Sequence, residues 1–387
     1  MILNKDVIFM RKKAYTKIIK LEENQRGIER TEVAFKCSDL MKEGKAIWQQ
    51  PFDGNKDDTF RLPYDLGTGK KFYGYPLMGL ISQKLYDNKD AKFIPLRYIT
   101  FEDAKNKGFP LKEKAQPILL ENYSKYDMGY TKEKTRSNKT YDKFYKNQTD
   151  KYHTYKKAVY CETDFKDEHK FIYPDNNIDA IAYIKNVASN LNLKITEDKH
   201  TQKSFYLTAK DEIHMCSKDK YPDERAYYSD LLRNLIKAST RPGRMSAKGT
   251  EGYGKGPRDV RSVKDKFRVE FTYMQICLGL KLPYKPSMSL LENKQIAGLI
   301  TAYPDYLVYM SNQSYMLMSY VNKQSVYRAK NLTEFIDYQL KQGKTDMEIK
   351  NLCIAYKFKE IRDLPDIKQR AILNKHLKKL KGNSITR

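Results

Sequence analysis

The sequence lacks the long apolar segments that would place it in or across a membrane. No stretch of its 387 residues approaches the roughly 20 apolar residues that a membrane-spanning helix needs. The opening MILNKDVIFM contains too short an apolar run for a secretory signal peptide. These absences predict a soluble intracellular protein with no membrane span.

Residues that bind transition metals or form disulfides are also scarce. The five cysteines contain no CxxC pair, and the five histidines show neither HxxxH nor HxH spacing. An odd number of scattered cysteines provides neither a disulfide framework nor a zinc ribbon. We therefore predict reduced, mostly buried thiols, structural or surface histidines, no metal and no cofactor. These residues are Cys37, Cys161, Cys216, Cys277 and Cys353, and His153, His169, His200, His214 and His376.

Motifs for nucleophilic catalysis and nucleotide binding are missing as well. Gly-x-Ser-x-Gly does not occur, and no cysteine and histidine share a convincing catalytic context. The segment 249–256 is close to a phosphate-binding loop, but no Ser or Thr follows Lys255, and Pro257 comes directly after the segment. A flexible loop is the preferred interpretation.

Acidic residues are few compared with basic residues. The sequence has 48 Asp and Glu against 73 Lys and Arg, which gives a net charge of +25. Such a charge makes a polyanion the natural partner, with nucleic acid ahead of an anionic membrane surface. The 31 tyrosines favour nucleic acid further, because a tyrosine ring can stack on an unpaired base. Composition bias is the alternative explanation for the tyrosines.

The first part of the chain is predicted to contain a charged extension and then a small α+β unit. Residues 1–39 are charged, with weak helical periodicity, and should have little core of their own. A helix then ends at Gly44, and Trp48 follows as an anchor for which a core role is preferred over base stacking. Thr100 ends a strand and can cap a short helix that contains Asp103.

A basic and aromatic tract interrupts this unit. Between Ser124 and Lys157 lie 10 Lys or Arg and 7 Tyr or Phe, with 4 Asp or Glu. A loop or long hairpin of this composition suits a nucleic-acid backbone and unpaired bases. A solvated surface insertion is the alternative.

The second half is predicted to be mostly helical, with a short sheet. Residues 178–193 should form an amphipathic helix capped from 175–177, and a hairpin should turn at 209–211. Two helices are expected to meet near Pro304. From residue 323 the sequence is basic and helical, and a solvated tail is preferred over a partner-binding or DNA-binding helix.

The helix from Tyr227 to Thr240 raises a question about two cations. Its Tyr and Leu residues recur at helical spacing and predict a core-facing stripe, while Arg233 and Lys237 lie one turn apart on a neighbouring face. In a later helix, Glu270 falls on an apolar stripe. An unpaired buried charge is costly, so this glutamate requires a partner.

Six short motifs, in the same order and at similar spacing, resemble the ArdC-type antirestriction protein family. The family pattern LExGxxPWxxPW resembles residues 41–44 and 47–52, NPxTGKxYRGIN resembles 65–75, and a third pattern resembles 99–118. In the second half of the chain, the resemblance continues through a set of separate residues and then through Glu270 and 296–321. It covers about residues 40 to 322. That set is Phe205, Tyr206, Asp211, Ile213, Met215, Tyr227, Tyr228, Leu231, Leu232, Arg244 and Met245.

The resemblance implies an α+β protein with two domains. The first is a small single-stranded-DNA-binding domain, and the second is a mostly helical zincin-like domain, similar to a zinc metallopeptidase, with a short sheet. Such proteins are carried by mobile elements and protect incoming DNA from restriction. On this basis the chain divides into a charged extension (1–39), a DNA-binding domain (40–165, with the insertion 124–157), a zincin-like domain (166–322) and a basic helical tail (323–387).

The zinc motif of the family, HExxH, is replaced here by RNLIK at 233–237. A zincin helix needs two imidazoles at i and i+4 and a glutamate beside the first. Arg and Lys offer donors and positive charge and cannot ligate zinc. We therefore predict a non-catalytic protein with a degenerate zinc site at Arg233, Asn234, Lys237 and Glu270. An ion pair of Glu270 with Lys237 or Arg233 should replace the metal; solvated cations, with Glu270 at a helix edge, are the alternative.

The predicted DNA-binding residues combine cations for phosphates with tyrosines for unpaired bases. We expect them to bind single-stranded DNA largely without sequence preference, with duplex DNA as an alternative ligand. They are Lys70, Lys71, Tyr73, Tyr75, Tyr98, Lys112, Lys114, Lys143, Tyr145 and Lys146.

The function predicted from these residues and the resemblance is that of an ArdC-like protein of a phage or mobile element. It would act in the host cytoplasm, where a host-defence or phage protein is a further expected partner. The alternatives are a virion or cargo protein on packaged DNA, a replication or conjugation accessory protein, and an enzyme whose residues the sequence does not reveal.

Overall fold

The structure, a computed structural model, describes residues 29–54, 61–87, 96–134, 140–166, 178–241, 243–245, 260–326, 332–341, 344–355, 360–361 and 364–384. Within these ranges, residues 122–155, 260–261, 341, 355 and 381–384 are described by their backbone alone. The chain divides into two compact units, Met1–Lys323 and Gln324–Arg387. Both are described separately below.

A mixed sheet organises the first part of the larger unit. Helix α1 covers residues 29–42, and it is followed by β1 (Tyr64–Asp65), α2 (Gly74–Asp87), β2 (Arg97–Ile99), α3 (Phe101–Asn106), β3 (Ile118–Lys134) and β4 (Thr140–Cys161). The strand order is β1-β2-β4-β3, with β1 parallel to β2 and the other neighbouring pairs antiparallel. The basic and aromatic tract thus forms most of a long hairpin of β3 and β4.

Local sequence signals explain how α1 and α3 begin or end. Gly44, just after α1, has φ +73°, a conformation that glycine adopts without a steric penalty. The Thr100 hydroxyl accepts a hydrogen bond from the backbone N–H of Asp103 at 3.1 Å. This contact confirms the predicted cap of α3.

A second, three-stranded sheet lies in the later part of the larger unit. It follows α4 (Ala180–Leu191) and consists of β5 (Lys194–Asp198), β6 (Phe205–Leu207) and β7 (Glu212–Cys216), in the order β5-β7-β6. The antiparallel pairing of β6 with β7 confirms the predicted hairpin. Asp179 caps α4 by accepting from the N–H groups of Ile181 and Ala182. The cap predicted at 175–177 lies outside the described residues.

Long helices complete the larger unit and surround its core. They are α5 (Glu224–Ser239), α6 (Val260–Leu280), α7 (Leu290–Ala302) and α8 (Asp305–Gln324). Trp48 is buried, with its ring edge-on to Phe267 and Phe271, and its indole N–H donates to Asn293 at 3.0 Å. These contacts confirm the core role predicted for Trp48. The α+β class predicted from the sequence is also confirmed.

One continuous hydrophobic core runs through this unit from Val33 to Val321. The extension predicted at 1–39 therefore requires correction from residue 29 onward, because Val33, Ala34 and Cys37 of α1 belong to that core. Residues 1–28 lie outside the described part. Buried residues on both sides of residue 165 belong to the same core, so the core does not mark a domain boundary there. The boundary at 165 therefore stays a prediction.

The smaller unit has a core of its own. Helices α9 (Leu332–Lys341), α10 (Asp346–Ala355) and α11 (Asp366–Ser384) pack around buried residues that include Phe335, Ile349 and Leu373. The prediction of a solvated tail is wrong, because α9 to α11 bury apolar side chains against one another. Among the helices of the described residues, none combines the length and the apolarity needed to cross a membrane.

Candidate functional site

Two regions of the larger unit carry the residues that the sequence singled out. The first, which we name the basic lobe, consists of the turn 66–70, the segment 101–117 that contains α3, and the segment 162–166. Its parts pack on a small cluster of their own, formed by Ile99, Ala104 and Phe165 with Leu66, Phe109 and Leu111. The N–H of Lys112 donates to the carbonyl of Asp164 at 2.8 Å, and that of Lys166 donates to Pro110 at 2.8 Å.

The turn at 66–70 is held tightly against α3. A Cβ at Gly67 would lie 2.4 Å from Oδ2 of Asp103, so a larger residue there would displace the Asp103 carboxylate. Asp65 is buried at the base of the turn, where it accepts from the N–H of Gly67 at 2.8 Å and pairs with Lys157. This arrangement fixes the position of Lys70 at the surface of the lobe.

Exposed lysines dominate the surface of the basic lobe. Its exposed acidic residues are Glu102 and Glu113. Lys71, next to the lobe, is partly buried. The exposed lysines are Lys70, Lys105, Lys107, Lys112, Lys114 and Lys166. The structure thus brings together three of the lysines predicted to contact DNA, Lys70, Lys112 and Lys114.

Two of the tyrosines predicted to contact DNA are instead core residues. Tyr75 is 4% exposed and Tyr98 is 0% exposed, so neither can offer a face to a base. Their assignment is corrected accordingly. Tyr73 is partly buried, and its ring packs at a tilt against Tyr315, with centroids 6.5 Å apart. Burial, and then the neighbouring Tyr315, raise the pKa of Tyr73.

Sequence reasoning missed an aromatic residue of the basic lobe. Phe101, the first residue of α3, is 62% exposed among the lysines of the lobe. Phe101 directly follows the Thr100 cap, and helical periodicity does not reveal whether an apolar side chain at such a position is exposed. The sequence therefore contained no signal that would have identified it. Lys143, Tyr145 and Lys146 lie on β4, and their side chains are outside the described residues.

The second region is a cavity of about 710 Å³ beside α5, which we name the Arg233 pocket. Its lining comes from residues 226–233 of α5, from the segments 202–204 and 216–222, and from the loop 283–287. Arg233 lies over the ring of Tyr273, 4.6 Å from its centroid, and donates from Nη2 to the carbonyl of Lys285. Its Nη1 is 3.6 Å from Oδ1 of Asp230.

Glu270 lies behind the loop of this pocket and is 1% exposed. Its carboxylate accepts from the N–H of Ser287 at 3.1 Å and from the Ser287 hydroxyl, and Oε1 lies 2.6 Å from the hydroxyl of Tyr284. Tyr284 is joined in turn to Phe52 by paired backbone hydrogen bonds and a stacked ring. Glu270 therefore fastens the loop 283–287 onto α6.

The predicted ion pair of Glu270 with Lys237 or Arg233 is wrong. Within the described part of the chain, hydroxyl and backbone donors occupy the carboxylate, and neither cation makes ion-pair contact with it. The link between the two helices runs through the loop, since Arg233 of α5 holds Lys285 and Glu270 of α6 holds Ser287. A ring of neutral donors satisfies the buried carboxylate without a buried cation.

The electrostatic environment of Lys237 differs from that of Arg233. Burial, followed by the positive charge of Arg233, lowers the pKa of Lys237 below its ordinary value, whereas Asp230 and Glu270 oppose this shift. Asn234 is 1% exposed and donates to the carbonyl of Asp230 at 3.0 Å, while its Oδ1 has no hydrogen-bond partner among the described residues. The three residues at the HExxH positions thus provide no acidic or imidazole ligand.

Metal ligands do not gather in the described ranges. No group of three or more His, Cys, Asp or Glu side chains there could hold a metal ion. Burial also raises the pKa of the Cys277 thiol to about 12, beside the hydroxyls of Ser229 and Tyr273, so that cysteine is a poor ligand at neutral pH.

The fold defined by these elements is an α+β fold in which a mixed sheet with a long hairpin precedes a helical half that carries a three-stranded sheet. Crystal structures of the antirestriction protein ArdC from plasmid R388 have a similar overall fold. The metal-free structure gives a TM-score of 0.52 at 10% identity, over 76% of this chain and 97% of that chain. The Mn(II)-bound structure gives 0.53 at 10% identity, over 78% and 99%.

Comparisons at the level of sequence identify no relative of this chain. No protein-family model matches the chain, and no curated protein matches it. The likeness at 10% identity therefore shows a shared, ArdC-like fold. The function of this chain has to be argued from its own residues.

Proposed function

We propose that this chain is a non-catalytic, ArdC-like DNA-binding protein of a phage or mobile element. It binds single-stranded DNA largely without sequence preference and protects incoming DNA from host restriction. The observation that carries the proposal is the basic lobe, which carries six exposed lysines together with the exposed ring of Phe101. The ArdC-like fold supports it, since the R388 protein whose structures this chain resembles is an antirestriction protein.

Single strands suit the basic lobe better than duplex DNA does. Lysines neutralise phosphates on either form, but an exposed ring gains from stacking where bases are unpaired. Stacking of one base on an aromatic side chain contributes about 1 to 3 kcal/mol and tolerates any base. Phe101 therefore supplies the preference for single strands, and the lysines supply the affinity.

The residues of the Arg233 pocket do not suit catalysis by a metal-activated water. A metal-activated water requires ligands that bind a divalent cation and a nearby base. Here the positions that resemble the zinc motif are an arginine, an amide and a lysine, and Glu270 is committed to Tyr284 and Ser287. These residues do not fit a metal ion.

The test is fluorescence anisotropy of labelled single strands of several sequences, with duplex as competitor, over a salt series. We expect sequence-independent binding that weakens steeply with salt. Phe101→Ala should weaken single-strand binding about tenfold, by the loss of one stacked base, and leave duplex binding unchanged. Phe35→Ala, which removes another half-exposed phenyl ring from α1, is the matched control and should change neither.

Equal binding of single strands, duplex and heparin, with no effect of Phe101→Ala, would contradict the proposal. Protection is measured separately, by transfer of unmodified plasmid DNA into a restricting host that expresses the chain. We expect more transformants with the wild-type chain than with a variant lacking Lys70, Lys112 and Lys114. Equal numbers would refute the protective role while leaving the DNA-binding role intact.

A further inference from the structure

The Arg233 pocket has the size and lining of a small-molecule site. Its volume of about 710 Å³ falls within the roughly 300 to 1,000 Å³ of ordinary ligand pockets. Three prolines, Pro222, Pro283 and Pro286, and the rings of Tyr221 and Tyr273 provide apolar walls. Such walls accept a flat ring system, as a base or another heterocycle would offer.

Positive charge in the pocket exceeds negative charge. Four cations line it, Lys203, Lys220, Lys285 and Arg233, and the three lysines are exposed at its rim. The acidic residue among the lining residues is Asp230, which accepts from the Tyr221 hydroxyl at 2.8 Å. One carboxylate cannot balance four cations, so the pocket is suited to a ligand that carries negative charge.

Arg233 is oriented for such a ligand. Its guanidinium is held in place by the Tyr273 ring and by the carbonyl of Lys285. Because the side chain is already ordered, binding of a ligand would lose little side-chain conformational entropy. The Nε–H of Arg233 is buried and has no hydrogen-bond partner among the described residues. A phosphate held at the mouth of the pocket by charge-assisted bonds from the rim lysines would place its negative charge near this guanidinium.

We propose that the Arg233 pocket binds a nucleotide, whose phosphate contacts Arg233 and the rim lysines and whose base lies against the proline and tyrosine walls. The nucleotide can be free or can be the phosphorylated end of a DNA strand, because both present the same chemistry. The site is separate from the basic lobe and does not depend on the DNA-binding role proposed for that lobe.

The experiment is isothermal titration of the full chain with dTMP and dAMP, with thymidine and inorganic phosphate titrated in parallel. We expect one dTMP per chain, with thymidine and phosphate each binding at least tenfold more weakly. The variant Lys203→Ala/Lys220→Ala removes exposed side chains and should fold, and we expect it to weaken dTMP binding at least fivefold. Arg233→Met should weaken it further, and Lys210→Ala, an exposed lysine of the β6–β7 turn, should leave it unchanged.

Competition with oligothymidylate separates the two sources of the nucleotide. If a 5′-phosphorylated strand displaces dTMP and a 5′-hydroxyl strand does not, the occupant is a strand end. If neither strand displaces it, the occupant is a free nucleotide.

Absence of dTMP binding at millimolar concentration overturns the proposal, as does binding that both pocket variants leave unchanged. Equal affinity for phosphate and dTMP also overturns it and shows an adventitious ion only. A variant lacking Lys70, Lys112 and Lys114 should keep full dTMP affinity, so failure of one site is distinguishable from failure of the other.

Discussion

The basic lobe and the Arg233 pocket both collect positive charge, but they hold it in different ways. In the lobe the lysines are exposed on loops and a short helix around a small core. In the pocket the central cation is fixed by an aromatic ring and a carbonyl. Solvated lysines favour any polyanion and are screened by salt, whereas a fixed guanidinium selects the shape of its ligand. The lobe is therefore suited to a long chain of phosphates and the pocket to one ligand.

The largest effect should come from the residue that fastens the pocket loop. Glu270→Ala removes the acceptor of the Ser287 N–H and hydroxyl, while the Tyr284 hydroxyl keeps the carbonyl of Trp48 at 2.6 Å. We expect a loss of about 3 kcal/mol in the free energy of unfolding. Urea denaturation measures it. Glu113→Ala removes an exposed carboxylate of the basic lobe and should change stability little. If the two variants were equally stable, Glu270 would not fasten the loop.

The next largest effect should be on DNA binding by the basic lobe. Replacing Lys70, Lys112 and Lys114 together with alanine should reduce the slope of log affinity against log salt by about 2, at roughly 0.7 for each lost contact with a single strand. The salt series with labelled oligonucleotides measures the slope. Replacing Lys199, Lys210 and Lys294, which are exposed elsewhere, makes the same charge change and is the control. Equal slopes for both variants would mean that net charge, not the lobe, drives binding.

A smaller effect of opposite sign is expected at Lys237. Burial and Arg233 lower its pKa in the folded chain below the ordinary 10.5, so the unfolded chain binds this proton more tightly. Stability from this group therefore rises with pH between the lowered pKa and 10.5. Lys237→Met should stabilise the chain by about 1 kcal/mol at pH 7, because it removes a poorly solvated charge from a buried position.

Chemical denaturation at pH 7 and pH 10 checks this expectation. The advantage of Lys237→Met should shrink as the pH rises toward 10.5, because the lysine releases its proton more readily in the folded chain than in the unfolded chain. Lys210→Met, on the exposed hairpin turn, should show no such dependence. Destabilisation by Lys237→Met at pH 7 would instead indicate the ion pair with Glu270 that the sequence suggested.

The smallest effect should be that of removing the hydroxyl of Tyr98. This hydroxyl is buried and has no hydrogen-bond partner among the described residues, so Tyr98→Phe should change stability by less than about 1 kcal/mol. DNA affinity should be unchanged, in contrast to the loss expected for Phe101→Ala. A large loss of affinity in Tyr98→Phe would return this residue to the DNA-binding surface.

The same two regions show what the sequence could and could not predict. The Thr100 cap and the β6–β7 hairpin were predictable, because caps and tight turns depend on neighbouring residues. Trp48 was predictable as a core anchor from its apolar surroundings. The ArdC-like fold was recognisable from six short motifs, although the identity to the solved structures is 10%.

The errors arose where long-range packing decides. Tyr75 and Tyr98 are tyrosines in a basic context, but α2 and β2 point them into the core. The partner of Glu270 was misassigned because the loop 283–287, distant from α5 in sequence, brings Ser287 and Tyr284 to the carboxylate. The core of the smaller unit was not predictable, because helices α9 to α11 bury their apolar side chains only when they pack against one another.

The most direct test of the central proposal, that the site formed by Arg233, Lys237 and Glu270 binds no metal, is elemental analysis after dialysis against Mn²⁺ and Zn²⁺. We expect substoichiometric metal and no change in melting temperature when either ion is added. One equivalent of bound metal that is lost in Glu270→Gln would contradict the proposal and would make a metalloenzyme the leading function.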